Sequence, residues 1–194
     1  MEFTLVSDGG GHEKTLGLLQ ALAAGGGRFG GFVDDEGMHP TGWEKVAKAQ
    51  GALLFRWPSG CLEENIFAAV PDEGLEALLT DPENEKTGMR LRTLQERLGT
   101  AEKDFASIKT KAAKGLKKVF IEAALGRVPS QTTKGPKEYK SDAQAWFKSV
   151  RGGHELAAKV FSLGLWPTFR SQLLPFCNAV RVAVDLPDIT DFHL

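Results

Sequence analysis

The sequence predicts an α/β fold: a small parallel sheet flanked by helices, with an α-helical region appended to it. Three observations carry this. Apolar runs suited to strands alternate with helical periodicities as far as Trp57. From Met89 onward the apolar residues recur almost throughout at helical spacing. Acidic residues dominate the first 85 or so positions, whereas the stretch from Lys103 to Lys140 is rich in lysine.

The elements follow in order. Glu2-Phe3-Thr4-Leu5-Val6 is a short β-prone run that stops at Ser7-Asp8-Gly9-Gly10-Gly11. Leu16, Leu18, Leu19, Leu22 and Ala23 mark a helix that ends at Gly25-Gly26-Gly27. Arg28 to Val33 reads as a strand whose glycines admit a close neighbour, ending in Asp34-Asp35-Glu36-Gly37. A helix from about Thr41 to Gln50 carries Trp43, Val46 and Ala47 on one face, and Ala52 to Trp57 is the next strand. Strands and helices at this spacing imply βαβ units, and chemistry then collects at the C-terminal ends of the strands.

Past Pro58 the pattern turns helical. Leu62 to Val70 forms one short helix, and Pro71-Asp72-Glu73 opens another. Asp81 to Gly88 is a polar connector, followed by helical patterns from Met89 to Leu125. Pro129 to Lys140 reads as a loop, Ser141-Asp142 as the cap of a helix carrying Ala145, Trp146 and Phe147, and Gly152-Gly153 as its end. Helices from His154 to Leu163 and from Trp166 to about Ala183 precede a loose tail. The expected division is an α/β core over 1–85 and a helical region over 86–194, with 141–163 returning Lys148 toward the core.

Composition excludes several functions. At 194 residues the chain buries a real core, and 24 Lys plus Arg balance 25 Asp plus Glu, so overall charge names no partner. Cys61 and Cys177 lie far apart and read as two buried thiols in a reducing cytoplasm. No apolar segment is long enough to span a bilayer. Gly9-Gly10-Gly11-His12-Glu13-Lys14-Thr15 fails as a phosphate-binding loop because Asp8 and Glu13 occupy the required glycine positions, so no bound nucleotide is expected. The four histidines lack zinc spacing, and no Gly-x-Ser-x-Gly elbow occurs.

Asp34, Asp35 and Glu36 end an apolar strand, and alternation puts Asp34 and Glu36 on one side and Asp35 on the other. Two carboxylates crowded on one side repel unless a cation or proton stands between them. Oxygen-only ligands suit Mg²⁺ or Mn²⁺. A second acidic pair, Glu63-Glu64, lies just past the next strand. The plainer alternative is a solvated acidic turn and a helix start that favours acids.

Four stretches carry a family resemblance: Val6-Ser7-Asp8-Gly9-Gly10-Gly11, Phe32-Val33-Asp34-Asp35-Glu36, Phe55-Arg56-Trp57 with Leu62-Glu63-Glu64-Asn65-Ile66-Phe67, and Trp146-Phe147-Lys148-Ser149-Val150. In order and spacing they resemble the Toprim region of OLD-family nucleases, class 2, which are ATP-dependent DNA endonucleases with an ABC-type ATPase ahead of that region. The resemblance implies a small Toprim-like parallel sheet and cleavage of DNA by two Mg²⁺ or Mn²⁺ ions. Asp34 and Glu36 resemble the metal-holding pair, with Glu36 at the reacting centre. Glu63 looks like the further acid of the metal shell, with Glu64 as its rival. Lys148 is similar to the lysine that stabilises charge developing on the phosphate, and Asp8, Gly9 and Gly10 correspond to the rim. Family members carry a further glutamate-bearing strand and helix ahead of the segment matching Val6. The expectations are therefore a site completed by a separate chain, such as an ABC-type ATPase or helicase-like partner in a homo-oligomeric system, or a remnant with little activity. The alternative function is a non-catalytic DNA-binding or assembly module derived from such a nuclease. A primase or topoisomerase part is disfavoured, because Tyr139, the one tyrosine, sits in a polar loop.

Lys103, Lys109, Lys111, Lys114, Lys117 and Lys118 crowd one helical stretch. They read as a solvated helix face or, beside a metal site, as a grip on the DNA backbone that salt weakens and base sequence does not affect. Trp43, Trp57, Trp146 and Trp166 read as core, and Lys148 after Trp146-Phe147 also fits an ordinary snorkelling lysine.

Overall fold

The computed structural model describes residues 11–26, 29–35, 37–81, 86–127 and 145–192. The fold is mixed α/β and mostly helical, with a two-stranded parallel sheet flanked by helices. The elements are α1 His12–Ala24, β1 Gly31–Val33, α2 Pro40–Gln50, β2 Leu54–Arg56, α3 Leu62–Ala69, a 3₁₀ helix Asp72–Leu78, α4 Thr87–Leu98, α5 Phe105–Ala112, α6 Leu116–Ala124, α7 Val150–Ser162 and α8 Trp166–Ala183. Among the described residues no helix is long and apolar enough to cross a membrane. The expected strand Glu2–Val6, the loop 129–140 and the cap Ser141-Asp142 lie outside the described residues.

The chain divides into two compact units. One comprises the chain through Leu62 together with Pro167 onward; the other runs from Glu63 to Trp166, so the expected boundary near residue 85 falls inside it.

In the first unit, β1 and β2 pair in parallel with Gly31 opposite Leu54, Phe32 opposite Phe55 and Val33 opposite Arg56. A Cβ at Gly31 would come within 2.9 Å of Leu54 Cδ1, the movable end of a leucine side chain. The helical period of α1 sets Leu16 and Leu19 on one face, where they bury against Trp43 and Val46 of α2. Phe29, Val33 and Leu54 pack against the same cluster. Complete burial of such side chains stabilises by roughly 1.5–3 kcal/mol each. Alternation along the strands gives a second, aromatic layer. Phe32 stacks on Phe55 at 4.9 Å, Trp57 meets Phe55 edge-on at 5.0 Å, and Phe176 and Phe169 of α8 complete the cluster.

The tail is not loose. Arg181 and Arg170 donate to the carbonyls of Pro187 and Thr190, and Asn178 exchanges two hydrogen bonds with the backbone of Ile189. Cys61 and Cys177 are half-buried rather than fully buried. Burial pushes the Cys177 thiol up from its ordinary range.

In the second unit, α4, α5 and α6 pack together, with Leu94, Ile108 and Phe120 buried between them. The lysine-rich stretch is not one helix. Asp104 caps α5 by accepting the Ser107 N–H, and α5 stops at Ala113, whose φ of 45° breaks the period before α6. Residues 145–149 are not helical, contrary to expectation, and α7 starts at Val150 with Ser149 accepting the Gly152 N–H as its cap. Gly152-Gly153 therefore lies within a helix instead of ending one. The reason is steric: a Cβ at Gly152 would sit 2.7–2.8 Å from the backbone of Phe147.

Candidate functional site

The apolar strand β1 delivers two acids in succession, and the structure gives them different work. Asp34 is half-buried, and its Oδ1 accepts the N–H of Leu62 at 3.0 Å. Leu62 opens α3, so this carboxylate occupies an otherwise orphan helix donor. Asp35 sends its side chain elsewhere, accepting from the Gly37 N–H at 2.9 Å and from the guanidinium of Arg56. The Arg56 guanidinium also lies over the Trp43 ring, 5.6 Å from its centroid.

The backbone ties the two strand ends together. Asp35 N–H donates to Gly60 O at 2.8 Å, and Trp57 N–H donates to Val33 O at 3.2 Å. Gly60 takes φ 64°, a conformation other residues adopt at a cost, as the chain leaves β2. Thus Asp34 and Asp35 stand at the C-terminal end of β1, directly against the turn between β2 and α3.

Glu36, Asp8, Gly9 and Gly10 lie outside the described residues. Within the second unit, Glu63 is buried on α3, and Glu64 pairs with Arg127 at 2.6 Å. Lys148 is exposed between the buried Phe147 and the Ser149 cap. Lys109, Lys111, Lys114 and Lys118 are exposed, whereas Lys117 is half-buried and donates to the Ala68 carbonyl at 3.2 Å. Lys118 stands 3.9 Å from Glu122, one turn along α6.

Among the described residues no group of three or more His, Cys, Asp or Glu side chains gathers where a metal ion could sit. Asp34 has the donor chemistry for a hard divalent cation, and its hydrogen bond to Leu62 orients it. Arg56 is the residue that sequence reading did not single out. Its strand registers it opposite Val33, immediately before the acids, and a lone cation at that register is the sign that could have found it. No family model, no curated protein and no solved structure matches the chain.

Proposed function

We propose that this chain is the metal-binding region of a divalent-metal-dependent DNA endonuclease of Toprim and OLD type, working within a larger ATPase–nuclease. The observation that carries the reading is the placement of Asp34 and Asp35 at the C-terminal end of a parallel strand, against the turn leading into α3. In parallel α/β sheets this edge is where ligands and chemistry collect. Arg56 takes up Asp35, so the metal role falls to Asp34 together with Glu36, which the alternation of the sequence pairs with it. The resemblance adds Glu63 or Glu64 as a further acid and Lys148 as the cation toward the phosphate. Mg²⁺ or Mn²⁺ bound there would supply an activated water and hold the leaving oxygen. Asp34 contributes a negative charge held in a fixed direction by the Leu62 N–H.

The test is a calorimetric titration of Mn²⁺ into wild type and Asp34→Asn. Asparagine keeps an acceptor for the Leu62 N–H while removing the charge, so loss of metal affinity is separated from loss of the helix-capping bond. Wild type is expected to bind with an affinity that drops about tenfold or more in the variant, as loss of a charged oxygen ligand implies. Equal affinities would remove the metal assignment. Nicking of supercoiled plasmid by wild type in Mn²⁺, absent in EDTA, is the expected activity.

A second reading is a non-catalytic DNA-binding or assembly module. It is favoured by the ion pairs that already occupy Asp35 and Glu64 and by the exposed Lys109, Lys111, Lys114 and Lys118. That reading predicts DNA retention falling steeply with salt, without metal-dependent nicking.

A further inference from the structure

On α4 the buried face reads Arg90, Thr93, Leu94, and a guanidinium with no exposed surface therefore stands where an aliphatic side chain would be expected. Its fork is fully used in one direction. Nη1 and Nη2 donate to the two oxygens of Glu155 on α7 at 2.6 and 2.8 Å, and Nη1 also reaches the carbonyls of Leu78 and Leu79 at 3.2 and 3.4 Å. Its flat face lies 4.6 Å from the Phe147 ring centroid and 5.8 Å from that of Trp146. One turn after Glu155, Lys159 donates to the carbonyls of Ala77 and Thr80. The two cations thus cover the carbonyl end of the 3₁₀ helix Asp72–Leu78.

The segment Ala145–Ser149 crosses this cluster as an irregular strap. Trp146 N–H donates to Ala124 O at 2.9 Å, both rings are buried, and the Phe147 backbone fits against Gly152 with no room for a Cβ. Lys148 is exposed on this strap.

Stability alone does not explain the arrangement. Replacing a buried ion pair by apolar residues of similar volume is commonly neutral or stabilising, because desolvation offsets the attraction. Arg90 Nε and Trp146 Nε1 are moreover buried without a hydrogen-bond partner. A guanidinium does what an apolar side chain cannot: its fork, its face and its carbonyl contacts fix three elements in register at once. We propose that Arg90 is a positioning residue that seats the Trp146–Ser149 strap, so that Lys148 is presented from a fixed point at the start of α7. The role of Lys148 toward DNA rests on the function proposed above; the seating of the strap does not.

The experiment uses the full chain and two variants. In R90M/E155M both charges of the pair are replaced together, and Lys159, 3.6 Å from Glu155, keeps its bonds to the Ala77 and Thr80 carbonyls, so the fold is expected to persist. Hydrogen exchange at the Trp146 and Gly152 amides is then expected to accelerate by about tenfold or more relative to the Ile108 amide of α5. The R90K variant, which keeps one charge and loses the fork and the flat face, is expected to show the same selective acceleration to a smaller degree. Unchanged exchange at Trp146 and Gly152 in folded R90K, or in folded R90M/E155M, overturns the proposal. Should the double variant fail to fold, the result from R90K decides alone. Retention on DNA supplies the second readout: Lys148→Ala should weaken it in wild type and have a smaller effect in R90K. If Lys148→Ala has no effect in wild type while exchange responds as expected, the DNA role of Lys148 fails and the strap assignment stands.

Discussion

Arg56 with Asp35 and Arg90 with Glu155 are the same pair of functional groups in different surroundings. The first, at a strand end, keeps side-chain exposures of 27% and 19%; the second, in the helical unit, keeps 0% and 7%. Water shares the work of stabilising the first pair, so either partner can be lost at modest cost. In the second pair the ions depend on each other, on Lys159 beside Glu155 and on the surrounding carbonyls and rings, so loss of one leaves its partner poorly compensated in an apolar setting.

Truncation of one buried partner should break this comparison most visibly. Arg90→Ala is expected to cost about 3–5 kcal/mol of unfolding free energy in urea, because Glu155 loses its bidentate partner and keeps only Lys159, at 3.6 Å. A loss below about 1 kcal/mol, the range of exposed pairs, would show that the two Arg–carboxylate pairs are equivalent after all. Gly152→Ala comes next, at about 1–3 kcal/mol, since the added methyl meets backbone atoms of Phe147 that cannot rotate away. The sign of this effect is informative, because Ala is otherwise the better helix former.

A pH series sharpens the contrast further. Burial holds Lys159 below its ordinary 10.5 against the opposing pull of Glu155. Between the folded and unfolded values the unfolded chain binds more protons at this lysine, so its contribution makes unfolding free energy rise with pH. Urea midpoints at several alkaline pH values should therefore climb more steeply, or fall less, in wild type than in Lys159→Met. The reverse ordering would contradict the assignment. Asp35→Asn should cost only about 0.5–1 kcal/mol, since asparagine still accepts from Gly37 and Arg56 stays partly hydrated. The smallest effect is expected at Lys109→Gln, within about 0.5 kcal/mol by denaturation, because that side chain is solvated.

Legibility in the sequence followed how local each determinant was. The pair β1 and β2 and the helices α2, α3 and α8 were readable, because hydrophobic period and flanking turn residues act within a few residues. The strap 145–149 was not. Ser141-Asp142 reads as a helix cap ahead of Ala145, Trp146 and Phe147, but the Trp146 and Phe147 rings answer to Arg90, distant in the chain, and Gly152 serves a backbone contact that no local rule anticipates. The anchored tail escaped notice for the same reason, since its partners lie back in α8. At the candidate site, the acids after β1 were visible as a cluster. Their separate partners, Leu62 for Asp34 and Arg56 for Asp35, came only with the register of the strands.

The tail's attachment to Asn178 has a chemical consequence of its own. That amide gives its Nδ2–H to the Ile189 carbonyl at 2.9 Å and takes the Ile189 N–H on Oδ1 at 3.0 Å, reproducing with a side chain the reciprocal exchange of two antiparallel peptides. An aspartate there would match it atom for atom in size yet set two oxygens face to face. Hydrolytic ageing of this single amide would thus convert a clasp into a repulsion and leave the C-terminal segment held by Arg170 and Arg181 alone of these side chains.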